Sequence, residues 1–137
     1  MLSITKLFHF EAGHRLSNYE GPCKNIHGHS YKLHITITGE KLTNGILIDF
    51  KVLKKIVETA VINEMDHTLL LKRNEFNIKA TENLGSKILW LDEDPTAEYL
   101  VTYIGSKIKD ELPEGIKLLR LRLYETDSCY AEMEYPA

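Results

Sequence analysis

A chain of 137 residues, 43% hydrophobic and 27% charged, carries enough apolar material to bury a core and has the length of one domain, 1–137. A formal net charge of −3 leaves no basic footprint for nucleic acid or an anionic membrane surface, and no run approaches the ~18 apolar residues of a membrane span. Two cysteines, Cys23 and Cys129, are too few for a disulfide framework, and with no leader pattern at the N-terminus the expectation is a cytoplasmic protein.

Alternation dominates the first forty residues. In "SITKLFHFEAGHRL", Ile4, Phe8, Phe10 and Ala12 share one parity, and His14 falls on the same face. In "HSYKLHITITGE", Tyr31, Leu33, Ile35 and Ile37 form an apolar face that His27 and His29 share, while His34 points the other way, as does His9 on the first strand. "LTNG" reads as a turn. Asp49 reads as the N-cap of a helix whose apolar positions are Leu53, Ile56, Val57, Ala60 and Val61, ending near Asn63. "NEMDHTLLL" then places Asp66 and His67 just past the helix end. Residues 72 to 94 read as mostly irregular, with a short apolar segment "ILWL".

A second helix opens at "DPTAEYL", with Pro95 in its first turn and Asp94 or Thr96 as cap; Ala97, Leu100, Val101, Ile104 and Ile108 line its inner face, and "LPEG" stops it. The C-terminal segment predicts a hairpin. A three-residue loop of Thr126, Asp127 and Ser128 sets Arg122 opposite Glu132, Arg120 opposite Glu134 and Tyr124 opposite Tyr130 on one face. Leu123 with Ala131 and Leu121 with Met133 then fall on the other. Glu125 ends up at the end of the apolar side, where a carboxylate needs a partner; Cys129 reads as core. The predicted architecture is α+β: a four-stranded antiparallel sheet with two helices on one face and two open edges.

Any one of His14, His27 and His29 alone is an ordinary polar residue near a strand end. His-x-His on one strand, with a third histidine of matching parity on the next, can bring three imidazoles to one point, the donor set of a catalytic zinc site with an open position. Cys23, in the loop before His27, could close such a site as a fourth ligand or remain a free thiol whose pKa a nearby cation lowers. Asp66 can fix the tautomer of a histidine such as His67 and make it a general acid or base, though adjacency alone does not bring the two side chains together. Glu98 suits the first turn of its helix through the dipole alone.

Taken together, "FEAGH", "CKNIHGHSY", "GILIDF", "MDH", "PTAE" and "LYETD" resemble the 6-pyruvoyltetrahydropterin synthase superfamily over nearly the whole chain. The resemblance implies a tunnelling fold, in which subunits join their sheets into barrels, assembled as a homohexamer of two stacked trimers with sites between subunits. It implies Zn2+ on His14, His27 and His29, Cys23 as catalytic base, and Asp66 with His67 completing a proton relay across a subunit boundary. Glu125 would anchor a pterin, and Thr96 and Glu98 would help line its pocket. Three residues between the cysteine and His-Gly-His are similar to the 6-carboxytetrahydropterin synthase subgroup, a zinc-dependent lyase acting on dihydroneopterin triphosphate. The pyruvoyl reaction on the same substrate, an aldolase-type cleavage of an unphosphorylated pterin and a zinc-stabilised assembly module without turnover are the alternatives.

Overall fold

The two alternating segments form the centre of the sheet. β1 (Ser3–His14) and β2 (His27–Gly39) run antiparallel, with Phe10 opposite Tyr31, Ala12 opposite His29 and His14 opposite His27. The computed structural model describes residues 1–17, 21 and 24–136. Cys23 therefore lies outside the described residues. One parity of each strand is buried: Phe8, Phe10 and Ala12 from β1, and Tyr31, Leu33, Ile35 and Ile37 from β2. Each fully buried large aliphatic side chain here contributes roughly 1.5–3 kcal/mol relative to exposure.

Asn44 and Gly45 both adopt positive φ in the predicted turn, closed by paired backbone bonds between Thr43 and Ile46. Asp49 caps α1 (Phe50–Val57) by accepting from the Lys51 N–H. The helix continues through a π-helical turn (Glu58–Ile62) into the short α2 (Asn63–Met65), two residues past the predicted end. Leu53, Val57, Val61, Ile62 and Met65 are its buried residues. α4 (Ala97–Ile108) buries the five predicted positions, and Thr96, not Asp94, is its cap, accepting from the Tyr99 N–H. Residues from both helices and from one face of the sheet make a single apolar core.

The sheet has six strands, not four. β3 (Thr68–Lys72) lies parallel to β1, and β4 (Ile88–Leu91) parallel to β3; with β5 (Ile116–Thr126) and β6 (Cys129–Glu134) the order is β4-β3-β1-β2-β5-β6. β3 is buried along Thr68–Leu71 and β4 is partly buried throughout, so "TLLLK" and "ILWL" read as short continuous apolar runs without the alternation that marks a strand. α3 (Glu75–Thr81) occupies part of the stretch expected to be irregular. It is capped by Asn74, and its Asn77 is fully buried, donating to the Lys72 carbonyl and accepting from Arg15.

β5 (Ile116–Thr126) and β6 (Cys129–Glu134) pair in the predicted register from Arg120–Glu134 to Tyr124–Tyr130. Arg122 donates to Glu132 through Nε and Nη2, at 2.9 and 2.8 Å. The loop differs. Thr126 pairs with Cys129, the turn is Asp127–Ser128, and Glu125 is left over as a bulge between Tyr124 and Thr126. The bulge and the tight turn place Cys129 at the exposed hairpin tip, so the expectation that it is core was wrong.

Candidate functional site

The end of the β1–β2 ladder brings together the three histidines that parity selected. One ligand atom from each of His14, His27 and His29 lies within 4.8 Å of the others, and the His14 Nε2 stands 3.1 Å from both the His27 and the His29 Nε2. The reason the rings point this way is local. His14 Nδ1 donates to the Pro95 carbonyl at 2.8 Å and His27 Nδ1 donates to the Asn25 carbonyl at 2.7 Å. A carbonyl can only accept, so each of those neutral rings carries its proton on Nδ1 and turns the Nε2 lone pair inward. Lone pairs facing one another at 3.1 Å with no proton between them repel. A divalent cation relieves that repulsion, and imidazoles oriented by carbonyls are the arrangement metal-binding histidines adopt. The donor set fits zinc.

Glu125 completes the cluster. The bulge turns its carboxylate toward the histidines, with Oε1 3.3 Å from His29 Nε2 and 3.5 Å from His14 Nε2. Burial pushes the His14 imidazole below its ordinary pKa, with the neighbouring His29 and His27 acting the same way and the Pro95 carbonyl and Glu125 opposing. Burial also lowers His29, against Glu125. Both shifts favour the neutral, ligating form. Tyr31 stacks on Phe10, sets its hydroxyl 3.3 Å from His14 Nδ1 and, being buried, has its pKa pushed up.

Asp66 and His67 do touch. Asp66 Oδ1 lies 3.1 Å from His67 Nδ1 and accepts from the Glu11 N–H at 2.9 Å. The His67 N–H in turn donates to the Glu11 carbonyl, with His67 in the left-handed region at φ 55°. These two bonds clamp the pair to β1. Glu11's amide and then His67 hold the Asp66 carboxyl below its ordinary value. The His67 side chain is 79% exposed. It borders a surface cavity of about 400 Å3, shared with Glu11, Gly13, Gly28, Ser30 and Lys87.

Thr96 is half-buried with its oxygen accepting from the helix, and Glu98 is exposed in the first turn of α4. The start of α4 nonetheless reaches the histidines, through the Pro95 carbonyl on His14. Sequence reasoning missed Pro95 and Asn25 as ring-orienting carbonyls and Glu11 as the clamp for Asp66. All three act through backbone groups, which side-chain identity does not announce.

The sequence model described as 6-pyruvoyl tetrahydropterin synthase matches residues 3–136 of the chain. The 6-carboxy-5,6,7,8-tetrahydropterin synthase of Rickettsia felis is 33% identical over 138 residues, covering 97% of this chain and 100% of that protein. The protein of the same name from Haemophilus influenzae is 31% identical over 142 residues, covering 98% and 99%. Among solved structures, an uncharacterized protein from Wolinella succinogenes superposes with a TM-score of 0.83 at 18% identity, over 98% of each chain. The 6-pyruvoyl tetrahydropterin synthase of Caenorhabditis elegans superposes with a TM-score of 0.73 at 20% identity, over 98% of this chain and 96% of that one. These superpositions establish the tunnelling fold.

Proposed function

The chain belongs to the 6-pyruvoyl tetrahydropterin synthase family, and from that premise we propose that it is a zinc-dependent lyase. It converts 7,8-dihydroneopterin triphosphate and one water to 6-carboxy-5,6,7,8-tetrahydropterin, acetaldehyde and triphosphate, the water supplying the second carboxylate oxygen, a step toward queuosine-type 7-deazapurines. The observation that carries the reading is the convergence of three imidazole lone pairs beside a carboxylate, in a chain about a third identical to proteins of that name.

His14, His27 and His29 would hold the Zn2+. When bound, the ion supplies Lewis acidity to the hydroxyls of the substrate side chain and acidifies the adjacent C–H positions. Cys23 removes a side-chain proton, and return of a proton to the pterin ring makes the reduction internal, without a nicotinamide. His67, held at 3.1 Å by Asp66, exchanges protons with the side-chain hydroxyls. Glu125 accepts the two N–H donors of the amino-pyrimidinone edge in a bidentate pair. Thr96, whose hydroxyl proton remains free to donate while its oxygen caps the helix, lines the pterin pocket with Glu98.

The single tunnelling-fold domain, 1–137, assembles as a cytoplasmic homohexamer of two trimers with sites between subunits. Two features support this assembly. β4 and β6 end the sheet and leave backbone groups open to another subunit, and the exposed His67 needs a partner surface to act on. Among the described residues no helix is long and apolar enough to cross a membrane.

The test is product analysis. Zinc-loaded protein is incubated with 7,8-dihydroneopterin triphosphate, the pterin is followed by mass spectrometry and acetaldehyde is trapped. Carboxytetrahydropterin with stoichiometric acetaldehyde is the expected result. Pyruvoyltetrahydropterin without acetaldehyde would assign the alternative reaction, and absence of any turnover would overturn the lyase reading.

A further inference from the structure

The position of Glu125 carries more than a pterin contact. Zinc bonds of about 2.0–2.1 Å set the edges of a tetrahedral donor shell at about 3.3–3.4 Å. Four distances in this cluster fall around that length: 3.1 Å from His14 Nε2 to His27 Nε2, 3.1 Å to His29 Nε2, 3.5 Å from Glu125 Oε1 to His14 Nε2 and 3.3 Å to His29 Nε2. The carboxylate oxygen thus stands at donor-shell distance from two of the three ligand atoms, on the side of the cluster away from His27. We infer that Glu125 is the fourth metal ligand of the resting enzyme and leaves the metal when a pterin takes its carboxylate.

The chemistry around it agrees. His14 and His27 present lone pairs to the centre because their Nδ1 protons are committed to Pro95 and Asn25. Glu125 Oε1 facing the His14 Nε2 is therefore an electron pair set against another lone pair, not the acceptor of a His14 N–H. The delivery is structural. The bulge at Glu125 breaks the β5–β6 register at that residue alone, re-aiming one side chain while the flanking pairs stay in line. The carboxylate is 29% exposed, against 1% for His14, so it can leave the cluster while the imidazole behind it cannot.

The pterin half of this inference rests on the function proposed above. The amino-pyrimidinone edge and the side chain that the metal would hold lie at opposite ends of the pterin, so a carboxylate paired with that edge cannot stay on the metal. Pterin binding thus vacates a coordination position only once the ring is in place, which keeps solvent from the metal until then.

The experiment uses the full-length protein loaded with Co2+, read by visible absorption, with Zn2+ affinity measured by chelator competition. E125A, checked for folding by circular dichroism, is expected to change the d–d bands and to weaken Zn2+ binding about ten- to a hundredfold. C23S is expected to leave the wild-type spectrum unaltered. Adding 6-methyl-7,8-dihydropterin, which has no side-chain hydroxyls to bind the metal, is expected to shift the wild-type bands toward those of E125A and to leave E125A unmoved. Wild type and E125A sharing one spectrum and one affinity would overturn the inference, as would a thiolate charge-transfer band lost in C23S. Turnover is scored separately. The expected spectra without product would sink the lyase reading alone, and identical spectra with normal product would sink the ligand assignment alone.

Discussion

The molecule carries two constellations of titratable residues, and they differ in completeness. The histidine cluster is finished within one chain: strands place the rings, carbonyls orient two of them, and His14 is 1% exposed. The Asp66–His67 pair is held as firmly, by two backbone bonds to Glu11, yet its imidazole is 79% exposed and faces an open cavity. Among the described residues, this rigidly held but uncovered acid–base pair has no group of its own chain to act on except Asp66 and the cavity lining. On the function proposed above, the difference makes metal binding a property of the subunit and proton transfer a property of the assembly.

Breaking the first constellation should cost the most. His29→Ala is expected to lose metal and activity together, with kcat/KM falling at least a thousandfold, about 4 kcal/mol of transition-state stabilisation; metal analysis after dialysis checks the first half. A variant that keeps its zinc would contradict the ligand set. Breaking the second should spare the metal. His67→Ala is expected to lower kcat about 10²–10⁴-fold at full zinc content. Its sharper use is in mixtures: hexamers reassembled from H67A and C23A subunits should regain activity that neither parent shows. Mixtures as inactive as their parents would place the relay within one chain.

The smallest effect concerns Asp66. Its folded pKa is depressed, first by the Glu11 amide and then by His67. The stabilisation is therefore full above the ordinary carboxylate value and is lost as pH falls from there through the lower folded value. At neutral pH, D66N is expected to melt about 2 °C below wild type, the scale of a solvent-screened pair. That gap should close below about pH 4. A gap independent of pH would mean the carboxylate charge contributes nothing to the clamp.

The sequence made the antiparallel half of the sheet legible because strands with one wet face alternate. β1, β2 and the β5–β6 register follow from parity alone. The parallel half was hidden, since β3 and β4 are short and continuously apolar, and α3 is a seven-residue helix held by tertiary bonds to Arg15 and Lys72. At the site, the three histidines were legible by the same parity, and Glu125 by the register of the hairpin. The bulge that aims Glu125 was not, because charge and apolar pairs are satisfied equally by a three-residue loop. The contact between Asp66 and His67 was not legible either. It depends on the left-handed His67 and on Glu11, which bonds both residues and lies 55 positions before Asp66 in the chain.

That bulge also decides which changes the hairpin can absorb. Loop tips with exposed polar residues ordinarily tolerate insertion and deletion, and Asp127 and Ser128 look like such a tip. Here the residue count between Tyr124 and Cys129 is what leaves Glu125 unpaired and turned inward. Substitutions at the tip should be neutral, while one residue more or fewer would hand Glu125 to the ladder and rotate its carboxylate off the site. In this family member, then, the hairpin is a measured length of chain whose spelling is free and whose count is not.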